Sequence, residues 1–435
     1  MRPWPVASVA AGAVLLVWPA LLNGYPLVFS DTAGLADMGL KPDIGWDKPW
    51  VYGPLILLLH WSISLWGVAV GQAIVTSAML WLAARVAGVA GPWRHLGLCG
   101  LLAVGSAAPW FVPLVMPDVF APLVVLCLFA LGWGRFGWGL SAAVLVLGTV
   151  AVAAHLAHLV LAAGCLVVVL ALRPRRFFMC AAPLILALVW LLGSNWVGNG
   201  VLGVSPYGSV FALARLQADG PAADYLRSVC PAIGYRMCEW SDRMPMDSDD
   251  FLWHPDGPIW GNNSGPLLVA PEAARIVAAT LRFEPVQALG HAIANMGRQL
   301  LHVEVGDTLG PQHLDSTVGP MLRTYFPIAE MDRFLASRQR AGELPALASP
   351  LRLTTLLLLC CGVAGTVALV PRAWRCDRVL LGLIAMVLIG VLANAFGTGA
   401  LSGPHDRYGA RIAWLVLLPP AFAVMNVRRL VRVIA

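Results

Sequence analysis

The chain has 435 residues, 59% of them hydrophobic and 12% charged, with a formal net charge of +6. Soluble domains carry about 25% charged residues, so this composition excludes a soluble globular enzyme, a disordered chain and, despite the positive charge, a nucleic-acid-binding domain. Solid apolar runs close to the roughly 20 residues that cross a bilayer predict an all-α polytopic membrane protein, since a transmembrane β-barrel would alternate instead.

In chain order the apolar stretches cover 6–22, 54–84, 95–134, 138–172, 177–197, 351–370, 379–397 and 411–427. The first has no small-residue cleavage site and runs on into NGYPLVFSD, so it reads as a retained span and not a signal peptide. The stretch 54–84 is too long for one span and divides into an interfacial helix, 54–65, and a span, 66–84. Pro109, Pro113, Pro117 and Asp118 break 95–134 into two spans joined by an outer loop at 109–118. The uncharged stretch 138–172 holds His155 and His158 in its middle and reads as two short spans meeting there. About ten spans result.

The positive-inside rule tests this map. With ten spans, Arg2, Arg85, Arg94, Arg135, Arg173, Arg175, Arg176, Arg372, Arg375, Arg378, Arg428, Arg429 and Arg432 all fall on one side. A single span over 138–172 would move Arg173 to Arg176 outside. Every Asp and Glu except Asp377 then lies outside or at the outer boundary, and both termini are cytoplasmic. The chain divides into an N-terminal transmembrane module, 1–197, with a first outer loop at 23–53, an extracytoplasmic insert, 198–350, and a C-terminal transmembrane module, 351–435. The insert has helical stretches near 209–228, 271–303 and 327–341, and the last two are amphipathic enough to lie on a membrane surface. No repeat of fixed period is present, which counts against transporters built from repeats. Cys230 and Cys238 stand eight residues apart in the insert, where an oxidising compartment would let them pair.

Three constellations carry potential chemistry. Asp31, in YPLVFSDTAGL, and Asp118, in VMPDVFAPL, stand at the outer boundary at similar depth and are candidates for a carboxylate pair. His155 and His158 are three apart, a spacing compatible with a metal. The loop GPHDRYGAR supplies His405, Asp406, Arg407, Tyr408 and Arg411, with the two arginines on one helical face. Arginine pairs bidentately with phosphate oxygens. Plainer readings stay open for each. Asp118 also fits a first-turn acid favoured by the helix dipole, and Asp31 an Asx-type cap. The histidines fit boundary residues bonded to backbone. The arginines fit snorkelling or a pair with Asp406.

An acid soon after the first span, an interfacial helix (KPWVYGPLILLLHW), a second acid opening a later span (MPDVFAPLVVLCLFAL) and a basic-aromatic last outer loop (HDRY) follow one another in this order. The arrangement resembles the GT-C class of membrane glycosyltransferases, in the branch with the protein O-mannosyltransferases and the lipid A aminoarabinose transferase. It covers 6–172 and 379–427 and leaves the large insert without a counterpart.

The resemblance implies transfer of a sugar from a polyprenyl-phosphate donor to a glycan, lipid or protein acceptor, at the outer face of a bacterial cytoplasmic membrane. Asp31 would be the general base, with Asp118 supporting it or orienting the acceptor. Arg407, Tyr408 and Arg411, with Lys41 or Lys48, would hold the lipid phosphate. His155, His158 and His405 would line the cavity. Many members of the class carry paired acids in the first loop; here Thr32 follows Asp31, which leaves dependence on a divalent metal open. The rival expectations are a transporter or flippase of a lipid-linked saccharide, a ligase or polymerase of envelope polysaccharide, and a structural subunit of an envelope complex.

Overall fold

The computed structural model describes residues 4–41, 44–261 and 264–426. The expectations for Arg2, Arg428, Arg429 and Arg432 lie outside the described residues. Among the described residues the regular elements are all helical, and extended pairing is confined to one parallel bridge between Leu27 and Leu114.

The breaks fall where the sequence has its punctuation. Trp4–Leu16 leads into Trp18–Asn23, which Gly24 ends at φ 78°, a left-handed conformation that costs glycine little. Ser30–Leu40 and Tyr52–His60 follow, the second where an interfacial helix is expected, and a tight turn at Trp61 and Ser62 leads into Trp66–Val86. Pro92–Gly105 stops at the extended Ser106, and Phe120–Trp133 begins only after Pro117. Trp138–Ala153 and Ala157–Leu172 are separated at Ala154–Leu156, beside His155. The long helices Phe177–Asn199, Leu344–Cys376 and Arg378–Ala395 complete the apolar set, with Asp406–Ala413 opening the final segment.

Among the described residues five helical segments, and not about ten, are long and apolar enough to cross a membrane: Trp66–Val86, Pro174–Asn199, Leu344–Cys376, Arg378–Ala400 and Asp406–Met425. Proline, glycine and the His155 break cut the other apolar stretches into helices such as Pro5–Leu16, Pro117–Trp133, Trp138–Ala153 and Ala157–Leu172. At 1.5 Å per residue, a 16-residue helix reaches about 24 Å, short of a hydrocarbon core of roughly 30 Å.

Phe120–Trp133 is buried on all faces and forms the centre of the bundle. Leu344–Cys376 lies at its edge, with only 11% of its apolar window covered by protein and Leu353, Leu357 and Val367 exposed. Basic loops gather at one end. Arg85 stands over the Phe136 ring, Arg173 donates to Gly132 O, and Trp133 donates to Arg378 O. Asp377, the acid out of place in the charge map, caps the helix that follows it by accepting from Val379 N and Leu380 N.

The stretch 198–350 is all-helical too, but its two halves pack differently. Val210, Leu213, Leu226, Phe251, Ile259 and Ile276 form a separate apolar core, and the Cys230–Cys238 disulfide is formed beside it. Leu309, Leu322, Phe326 and Phe334 instead join the core of the apolar helices. Two buried polar side chains fasten this second half. Glu330 accepts from Tyr25 Oη, Ser64 Oγ and Leu65 N. Gln339 brackets Val28, accepting from its N at 3.1 Å and donating to its O at 2.7 Å.

Candidate functional site

The segment before Asp31 and the segment before Asp118 are tied to each other. Val115 N donates to Leu27 O at 2.8 Å, and the Thr32 hydroxyl donates to Val115 O at 3.0 Å while accepting from Phe29 N at 2.9 Å. Thr32 is fully buried. It follows Asp31 directly and faces a carbonyl oxygen, which would repel a carboxylate at this position. From the other side, Gln72 donates to both Val112 O and Leu114 O and is itself fixed by Tyr52 Oη.

The helix Asp406–Ala413 closes the site. Gln299 grips the backbone of His405 at both its N and O, and Asp307 accepts from Arg407 N at 2.9 Å. Arg407 and Arg411 then emerge on one face of Asp406–Ala413, as their spacing predicts. Both reach the same oxygen of Asp118, at 3.0 and 3.2 Å. Arg411 also donates to Asn394 Oδ1 at 3.1 Å, and Asn394 donates to Tyr408 O. Asp118 and Arg411 are both completely buried. Asp118 stands in the first turn that opens its helix, as the plainer reading expects, but it caps no backbone N–H; its bonds go to the two arginines.

Arg407 continues past Asp118 to Asp31, 3.5 Å away, and its guanidinium lies over the rings of Phe29 and Tyr408. Lys48 approaches the other oxygen of Asp31 at 3.3 Å and also pairs with Asp47. Asp31 keeps 33% of its side chain exposed, and this is the carboxylate of the pair that solvent and a ligand can reach. Burial alone would raise the Asp31 pKa, but the Lys48 ammonium and then the Arg407 guanidinium outweigh it and hold the carboxyl below its usual value. Burial would lower Lys48, and Asp31 and Asp47 together raise it instead. At neutral pH Asp31 and Lys48 are therefore both charged, and Arg407 is shared between two acids.

These residues line a cavity of about 330 Å³, within the range of roughly 300–1,000 Å³ typical of small-ligand sites. Asp31, Asp47, Lys48, Arg407, Tyr408 and His155 form its charged and polar wall. Met116, Ala157, Val160 and Leu401 form an apolar wall, and Phe211 and Trp253 close it from the insert. On the opposite face of Asp406–Ala413 lies a second cavity of about 300 Å³, lined by Leu359, Val363, Leu388, Val391, Ile412 and Val416.

Not every expected residue arrives there. Asp118 and Arg411 sit behind Arg407 and outside the lining. Lys41 closes the far end of Ser30–Leu40, pairs with Asp37 and stands over Tyr325. His158 is buried in the first turn of Ala157–Leu172, where its Nδ1 hydrogen donates to Ala151 O at 2.7 Å. The helix break between the histidines removes their common face, although their rings remain 5.2 Å apart. His405 is partly exposed, against Tyr408 and 3.9 Å from Asp249. Among the described residues no group of three or more His, Cys, Asp or Glu is placed to hold a metal ion.

The sequence reading missed Asp47, Asn394, Asp307, Thr32 and the aromatic wall. Asn394 carried a signal, as an amide inside an otherwise apolar stretch.

The chain matches no family model, no curated protein and no solved structure. The function therefore has to be argued from the site.

Proposed function

We propose that the protein is a membrane glycosyltransferase that moves a sugar from a polyprenyl-phosphate carrier to an acceptor hydroxyl. The observation that carries this reading is a reachable carboxylate, Asp31, flanked by two cations, Lys48 and Arg407, in one cavity beside apolar helices. In this reading the site and the insert face outward from a bacterial cytoplasmic membrane, the basic loops and both termini face the cytoplasm, and the donor's apolar tail lies among the membrane helices.

The phosphodiester of the donor sits against Lys48 and Arg407, which are in place before it arrives. It draws their charge away from Asp31, whose basicity rises as the donor binds. Asp31 takes the proton of the acceptor hydroxyl while the acceptor oxygen bonds to the anomeric carbon. The bond from that carbon to the phosphate oxygen breaks, its electron pair stays on the phosphate, and polyprenyl phosphate leaves without needing a proton. A single displacement of this kind inverts the anomeric centre. Asp118 and Arg411 act through Arg407, fixing its position, and take no proton. No step in this scheme requires a metal.

The test is turnover of a panel of radiolabelled polyprenyl-phosphate sugars by the purified chain, with a membrane extract as acceptor source. Transfer from one donor, lost in Asp31→Asn, supports the reading. Tight donor binding with no turnover from any donor would instead favour a flippase of lipid-linked saccharide, and neither binding nor turnover would favour a ligase or a structural subunit.

A further inference from the structure

The aromatic wall of the cavity is assembled from two distant parts of the chain. Trp46, in the first outer loop, inserts between helices of the insert. Its ring stacks on Phe211 at 5.2 Å with the planes 18° apart, and it packs against Trp253 at 5.3 Å and Trp260 at 6.0 Å. Buried aromatic clusters normally hide their rings, yet Trp253 remains 45% exposed, and it lines the cavity together with Asp31 and Lys48. Lys48 Nζ lies 6.0 Å from its ring centroid. The edge of the same cavity carries Asp47, Ser205, Thr398, Ser402 and His155, a mixture of hydrogen-bond donors and acceptors.

An aromatic face that shares a cavity with carboxylate, hydroxyl and imidazole groups is complementary to a pyranose or furanose ring. One face of such a sugar is C–H and apolar, and its rim is hydroxyl. It suits an extended hydrocarbon chain poorly, because the polar rim would go unpaired. The apolar wall of Ala157, Val160 and Leu401, and the separate apolar cavity beyond Asp406–Ala413, offer better space for such a chain. The two kinds of wall therefore divide the substrates, with lipid on the side of the apolar helices and sugar on the side of the insert.

We propose that Trp253 is the platform of a saccharide-binding subsite and, resting on the transferase reading above, that the sugar held there is the acceptor. The proposal assigns a saccharide acceptor, not a polypeptide or a simple lipid, and gives the insert a task.

Saturation-transfer NMR on the full chain in lipid nanodiscs tests it, with a panel of methyl glycosides (gluco, galacto, manno, rhamno, arabino and N-acetylglucosamine forms) as probes. Saturation of the ring C–H protons of at least one glycoside is expected, reduced at least tenfold in Trp253→Ala and largely kept in Trp253→Tyr. In Asp31→Asn, which stops turnover, the signal is expected to persist when polyprenyl-phosphate sugar is added in excess. Three results would overturn the proposal: no glycoside saturated by the wild type, full saturation by a Trp253→Ala protein with a wild-type melting point, or displacement of the glycoside by the donor. None of these depends on observing transfer, so failure of the transferase reading is read separately, in the donor-panel assay.

Discussion

The two ends of the charged cluster use the same chemistry for opposite purposes. At one end Asp118 and Arg411 are completely buried, share their bonds with Arg407 and Asn394, and lie outside the lining of the charged cavity. At the other end Asp31 and Lys48 form a looser pair at 3.3 Å on a cavity wall, with 33% and 21% of their side chains exposed. Arg407 joins the ends. A buried ion pair contributes little net stability, but removing one partner is expensive. The exposed pair contributes less still, yet it is the one a substrate can reach. The comparison teaches that the second acid of the site is a fixture for the arginine, and that the first is the one placed for the proposed chemistry.

The largest expected effect lies at the buried end. Asp118→Ala leaves the buried Arg411 without a carboxylate and Arg407 with Asp31 alone, and is expected to cost about 3–5 kcal/mol, read as a fall in the thermal midpoint of the detergent-solubilised protein. The double variant Asp118→Leu/Arg411→Leu is expected to be more stable than the sum of its singles predicts, because each single strands the other's charge. Additive losses would show that the two do not act as a pair. Arg407→Ala, at the junction, is expected to weaken donor binding at least tenfold, and by more than Asp31→Asn does; equal donor affinity in wild type and Arg407→Ala removes the phosphate-clamp role.

A smaller effect is expected from Thr32→Val. It removes two hydrogen bonds, worth about 1–3 kcal/mol together, and loosens the tie between the two acid-bearing segments, so turnover falls while donor binding holds. Unchanged turnover would show that the tie does not position Asp31. The pH response sharpens the contrast further. The folded pKa of Asp31 is depressed, so its contribution to stability is fully present above the ordinary carboxylate range and is lost as pH falls through the lowered folded value. Between pH 5 and 8, roughly, Asp31→Asn should therefore change stability by a constant amount; a difference that varied across this window would mean that Asp31 titrates there. Smallest of all, Lys41→Ala should leave turnover within about twofold, since its charge is solvated and screened.

Much of this arrangement was legible in the sequence. Prolines and paired histidines inside overlong apolar runs marked the breaks at 106–117 and 154–156. The similar depth read for Asp31 and Asp118 agrees with their meeting at one site, but that Arg407 would join them was not read from the sequence. Lys41 was misplaced for a geometric reason. Ten residues of helix, about 15 Å, separate it from Asp31, whereas the loop after it brings Lys48 back. The fastening by Gln339, 311 residues from Val28, and by Gln299 and Asp307 could not be read, because single polar residues with remote partners leave no spacing pattern. The number of membrane-crossing helices was overread because hydropathy counts apolar residues and does not see where proline and glycine end a helix.

The most direct test of the account is to measure turnover and thermal midpoint together for wild type, Asp31→Asn and Asp118→Asn, with the donor that the wild type accepts. The account predicts that Asp31→Asn lowers the midpoint less than Asp118→Asn does and loses about 100- to 10,000-fold in turnover. An Asp31→Asn protein with full turnover, or an Asp118→Asn protein of wild-type stability that is the inactive one of the two, would contradict it.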